Sequence, residues 1–148
     1  MSKNTITIRQ SVLINKPKEV VFDFTQNYDN RAKWDSSVLQ ATILQTSPNR
    51  IVKLKMKGNT EMTFVYKLDN RPDKTSLATQ NVQSLIIKTA GGSWSYEEQD
   101  NQTIWTQVNT IVFKDSFLLQ LIKPFMRWMF KMQTNKAMNK AKKLIELL

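Results

Sequence analysis

The chain has 148 residues, 41% hydrophobic and 23% charged, the balance of one globular domain able to bury about two-thirds of its unfolded surface. It contains neither cysteine nor histidine, which excludes disulfides, thiol chemistry and Ser-His-Asp or Cys-His nucleophile systems, and argues against a metal site. A formal charge of +10 favours anionic surroundings, but a nucleic-acid reader gathers its cations on one element; here the five arginines are scattered among seventeen lysines, and no nucleic-acid partner is expected.

Residues 5–14 largely alternate, with Ile6, Ile8, Val12 and Ile14 on one side and Thr5, Thr7, Arg9 and Ser11 on the other, the period of a half-buried strand. The N-terminal MSKNTITIRQ has no apolar core of a signal peptide. Pro17 suits the first turn of a helix, and residues 17–26 carry Val20, Val21, Phe22 and Phe24, predicting a short helix with a buried side. Tyr28-Asp29-Asn30 breaks it, and residues 31–34 give a second small helix or turn.

From residue 38 to 113 the pattern is strand after strand. Residues 38–46 form the second, and residues 51–57 place Val52, Leu54 and Met56 opposite Lys53, Lys55 and Lys57. Gly58-Asn59 turns the chain into residues 61–69, whose inward set is Met62, Phe64, Tyr66 and Leu68. A more polar fifth strand covers residues 75–82. Residues 84–90 and 93–98 read as one bent sixth strand, with Gly91-Gly92 permitting the bend. Asp100-Asn101 turns into a last strand at residues 103–113.

Residues 116–148 lack Gly and hold good helix formers, with Pro124 near the start. At about 100° per residue, Leu118, Leu121, Ile122, Phe125, Trp128, Met129 and Met132 lie together; Met126 and Phe130 extend that arc beyond the ~100° stripe a docking helix needs. After Thr134 the apolar face narrows to Ala137, Ala141, Leu144, Ile145 and Leu148. Tight turns between the strands imply an antiparallel meander whose inner face only this helix is long enough to cover. A curved sheet around one helix leaves a hollow between its aromatic face and the surplus apolar arc, the usual form of a small-molecule site. No apolar run reaches ~18 residues, so a single cytoplasmic domain over residues 1–148 is expected.

This order of elements resembles the helix-grip superfamily of START domains, birch-pollen-allergen relatives and polyketide cyclases/dehydrases (SRPBCC). Ile14-Asn15-Lys16-Pro17-Lys18-Glu19-Val20-Val21-Phe22 is similar to its first helix, Trp34-Asp35-Ser36-Ser37-Val38 to its passage into the second strand, Gly92-Ser93-Trp94-Ser95-Tyr96 to its sixth strand, and Ile122-Lys123-Pro124-Phe125 to its last element. The resemblance implies an α+β fold, a seven-stranded antiparallel sheet wrapped around a long C-terminal helix with two short helices after the first strand. It also implies a cavity for a lipid, polyketide or other hydrophobic molecule.

The expected ligand-binding residues are Trp34, Leu54, Met56, Met62, Phe64, Tyr66, Trp94, Tyr96, Trp105, Leu118, Ile122, Phe125 and Met129. Each has a competing role in plain core packing, Tyr66 included, whose hydroxyl is read either as a donor to ligand or as the tip of a core tyrosine. No catalytic residue, metal or cofactor is assigned. An alternative is a cyclase or dehydratase using Tyr66 or Glu97 as acid or base; Asp35 and Glu97 read more simply as solvated acids. Lys123, Arg127 and Lys131, at i, i+4, i+8, form a ridge that fits either solvent or a transient anionic membrane contact in which Met126 and Phe130 enter the headgroup boundary. The same exposed residues would also serve a homodimer, so monomer and dimer both stand.

Overall fold

The computed structural model describes residues 4–148; residues 1–3, the start of the segment read above for a signal peptide, lie outside the described residues. Strand β1 (Thr5–Ile14) leads into helix α1 (Lys18–Gln26), a 3-10 turn (Tyr28–Asn30) and the short helix α2 (Arg31–Trp34). Six strands follow: β2 (Val38–Gln45), β3 (Ile51–Met56), β4 (Thr60–Asn70), β5 (Lys74–Gln83), β6 (Ile87–Gln99) and β7 (Gln102–Phe113). Helices α3 (Phe117–Leu121) and α4 (Lys123–Glu146) close the chain. The strands make one antiparallel sheet in the order β1-β7-β6-β5-β4-β3-β2, the α+β arrangement the sequence predicts. Gly58-Asn59 (φ 80° and 54°) and Asp100-Asn101 (φ 55° and 63°) turn two hairpins with left-handed backbone at both positions, matching the twist of the flanking strands.

Helix α4 lies on the concave face and packs chiefly against β1. Two apolar clusters result. One joins Ile14, α1, Trp34, Tyr96 and Trp105 to Met138, Ala141 and Ile145 of the C-terminal half of α4. The other gathers Ile6, Ile8, Leu54, Met62, Phe64, Tyr66 and Phe113 around Met126.

Three local expectations are corrected. Leu68 leaves the inward face and is exposed, because β4 carries an extra residue between Tyr66, opposite Leu77, and Leu68, opposite Ser76, and a bulge switches side-chain direction. The irregularity in β6 falls between Ile87 and Thr89, whereas Gly91 and Gly92 pair regularly with Thr110 and Asn109. Those glycines answer to close approach instead: a Cβ on Gly92 would sit 2.2 Å from the Val108 carbonyl oxygen. Finally, the rotation of α4 puts Met126, not Phe125 or Trp128, against the sheet. The cause is continuity. Ala137 and Ala141 dock the second half, and 11 or 15 residues earlier a helix of 3.6 residues per turn returns Met126 to nearly the same side.

Candidate functional site

Between the sheet and α4 lies a cavity of about 520 Å³, within the range of small-molecule sites. Leu54, Met56, Met62 and Phe64 from the β3–β4 hairpin form one wall, and Met129 and Phe130 from α4 face it. The floor crosses β5, β6 and β7 at Leu77, Ala90, Gly91, Gly92 and Ile111. Pairing of β5 with β6 stops at Ala78 and Gly91. Past that point the Ser84–Ile87 connection forms part of the rim, with Lys57 and Gly58 of the β3–β4 turn.

Of the residues singled out from sequence, Trp34, Leu54, Met56, Met62, Phe64, Tyr66, Trp94 and Met129 line this cavity. Tyr96 and Trp105 do not; they are buried in the other cluster, their rings stacked at 6.4 Å. Strand alternation puts Trp94 and Tyr96 on one face, but the packing of α1 covers Tyr96 through Phe22, 5.0 Å away between centroids. Leu118 (64%) on α3, Ile122 (39%) at the break between the helices and Phe125 (59%) are exposed on the outer side, Phe125 because of the rotation of α4. Glu97 is also exposed and lies away from this cavity.

The polar groups divide into those committed to the protein and those that face the hollow. Gln26, at the end of α1, is the centre of the first set. Its Oε1 accepts from Tyr66 Oη (2.8 Å) and Arg50 Nη2 (2.8 Å), and its Nε2 donates to Tyr96 Oη (3.0 Å) and Thr75 Oγ1 (3.2 Å). Because the Tyr66 proton goes to Gln26, Tyr28 is the donor across the 2.6 Å contact between the two hydroxyls. The Tyr66 ring therefore lines the cavity while its hydroxyl serves the protein. Burial pushes the pKa values of Tyr66 and Tyr96 far up from the ordinary phenolic value, so both stay protonated and neither is a base.

Arg31 belongs to the second set. Its side chain is only 12% exposed, lines the cavity and donates from Nε to Asp35 Oδ2 at 3.0 Å. Its guanidinium lies 4.9 Å from the centre of the Trp34 ring and 5.0 Å from that of Trp94, contacts that hold an arginine in place without using its terminal N–H groups. Among the described residues those terminal nitrogens have no hydrogen-bond partner. Burial pulls its pKa down, but the neighbouring Asp35, together with Tyr28 and Tyr66, raises it on balance, so the cation persists. Across the floor, Trp94 Nε1 donates to Asn109 Oδ1 (3.3 Å) and Asn109 Nδ2 to Gln107 Oε1 (2.8 Å). The chain ends at the buried Gln107 side chain, on the cavity wall. Arg31 and Gln107 were missed from the sequence. The Arg31–Asp35 spacing around Trp34 was the available signal; nothing marked Gln26 or Gln107.

The arrangement is a mainly apolar hollow with a fixed cation. Among the described residues no cluster of three or more metal-ligating side chains exists, and no helix is long and apolar enough to cross a membrane.

The chain belongs to the polyketide cyclase/dehydrase and lipid transport family, whose profile matches residues 5–146. No curated protein matches the sequence. Among solved structures, the Zhui aromatase/cyclase from Streptomyces sp. R1128 is similar at 12% identity and a TM-score of 0.82, covering 96% of this chain and 94% of that one. A protein from Thermus thermophilus is similar at 9% identity and TM-score 0.81 (95% and 97% covered). A START superfamily protein from Mycobacterium smegmatis is similar at 10% identity and TM-score 0.68 (95% and 94% covered). At such identities the likeness speaks for the fold.

Proposed function

We propose that this chain binds one hydrophobic small molecule, with an oxygen-bearing end held at Arg31 and an apolar body against Phe64, Met62 and Met129. The observation that carries the reading is the enclosed guanidinium on the wall of an otherwise largely apolar cavity of about 520 Å³. The terminal N–H groups of Arg31 have no protein partner among the described residues, and a carbonyl or carboxylate oxygen from the ligand supplies one. Carriage of a lipid-like molecule fits the groups on the cavity wall: burial holds Tyr66 protonated, and Asp35 accepts from Arg31 and from Ser37 Oγ at 2.6 Å.

A second reading, turnover of a polyketide-like substrate, is favoured by one feature. The Arg31–Asp35 pair on the cavity wall is able to polarise a bound ketone. Binding and turnover separate on substitution. Arg31→Gln is expected to weaken binding of an anionic aromatic probe such as anilinonaphthalene sulfonate about tenfold, the ~1.4 kcal/mol of a lost charged hydrogen bond. Unchanged affinity, measured by fluorescence titration, contradicts the anchoring role. Conversion of a polyketone by the wild type, lost in Arg31→Gln, replaces the carrier reading with the catalytic one.

A further inference from the structure

The outer face of α3 and of the first half of α4 is apolar and has nothing packed on it among the described residues. Phe117 (77%), Leu118, Leu121, Phe125, Trp128 (56%) and Met132 are all more than half exposed. Leu118 and Leu121 lie at i and i+3 on α3, and Phe125, Trp128 and Met132 recur at i, i+3 and i+7 on α4, a stripe of roughly 10 Å on that helix at 1.5 Å per residue. Phe125 and Trp128 touch, their ring centres 5.9 Å apart. The docking of the C-terminal half of α4 explains why this face points outward, but nothing in the packing explains why it is greasy.

Its surroundings indicate what covers it. The exposed cations Arg127, whose Nη1 donates to the Thr7 carbonyl of β1 at 3.2 Å, and Lys131 run along one border of the stripe. On the other, the same helix turns carry Met129, Phe130 and Gln133 at the cavity wall. The rim residues Leu85, 85% exposed, and Ile86 lie close to where α3 begins, because Lys114 N donates to the Ile86 carbonyl at 2.8 Å and the Lys114 side chain to Ser84 O. An apolar stripe, a cationic border and the mouth of a cavity thus share one end of the molecule. Two copies joined through this face would bring together cationic borders of chains that each carry +10, whereas an anionic bilayer offers the opposite charge and an apolar interior.

We propose that this face docks on anionic phospholipid membranes. The aromatic rings, Leu121 and Met132 enter the headgroup boundary, Arg127 and Lys131 meet phosphates, and the cavity mouth is brought beside the bilayer. The residues that enter differ from those expected from sequence: Met126 is buried in the core and Phe130 lies on the cavity side.

Co-sedimentation tests this with the full chain and vesicles of phosphatidylcholine, with or without phosphatidylglycerol. Binding is expected to the anionic vesicles, weakening as salt is raised. Phe125→Ser combined with Trp128→Ser, and separately Arg127→Glu combined with Lys131→Glu, are each expected to lower the partition coefficient about tenfold or more, with binding of a soluble cavity probe retained. Equal sedimentation of the wild type and both variants, or no binding of the wild type to anionic vesicles, overturns the proposal. So does a wild-type dimer, seen by sedimentation velocity, that the serine variant dissociates, since the face would then belong to a second copy.

Discussion

At the scale of single residues, one amide organises the buried polar chemistry. Gln26 uses both its oxygen and its nitrogen on partners from β4, β5, β6 and the turn before β3, tying α1 to the sheet just beneath the cavity. Tyr66 fills one of those positions, so Tyr66→Phe leaves the Tyr28 hydroxyl without its acceptor and Gln26 short of a donor. A loss of about 1–2 kcal/mol is expected at pH 7 by urea denaturation. The sign of the pH dependence follows from the burial-raised pKa of Tyr66. Above pH ~10 the phenol ionises in the unfolded chain while remaining protonated in the folded one, so the unfolded chain binds fewer protons and stability falls. The variant lacks that phenol, and the gap between it and the wild type should narrow above pH ~10; a constant gap contradicts this account. Tyr66 was recognisable in the sequence by alternation with Met62 and Phe64. Gln26 was not, because a glutamine at a helix end reads as solvent-facing unless its tertiary partners are known.

Among the elements, the sheet was largely legible and the helix rotation was not. Period-2 patterns and turn pairs such as Gly58-Asn59 are local signals, and they placed all seven strands. The wide arc of residues 117–132, by contrast, offered two faces with similar apolar content. The choice between them was made elsewhere, by Ala137, Ala141 and Ile145 packing in the cluster that α1 closes. Small residues at that contact let the helix approach closely, which a hydrophobicity count underrates. A similar blindness affected Gly91-Gly92, read as a bend when the need is space. Gly92→Ala is expected to destabilise the protein by ~2 kcal/mol or more, since its Cβ would meet backbone at 2.2 Å. Gly58→Ala, with nothing within 4 Å of the added carbon and a φ of 80°, should cost only about 1 kcal/mol. Thermal melts that rank the two in the reverse order would show that crowding between β6 and β7 is not what Gly92 relieves.

For the whole molecule, the hollow is a consequence of architecture. Helix α4 is held close to β1, at one edge of the sheet, and to α1, so the curved half made by β3, β4 and β5 is left facing side chains that do not reach across. The predicted hollow was therefore readable from topology and a shortage of filling residues, while the Arg31 cation on its wall was hidden in a four-residue helix. The proposed binding depends on that space being available to a ligand. Ala90 lines it from β6, and Ala90→Phe adds a ring where the ligand would lie. The most direct measurement is a fluorescence titration with anilinonaphthalene sulfonate, comparing the wild type with Ala90→Phe at matched melting temperature. Saturation at one probe per chain, with affinity about tenfold or more weaker in the filled variant, is the predicted result. Equal binding by both proteins would place the probe outside the cavity and contradict the account.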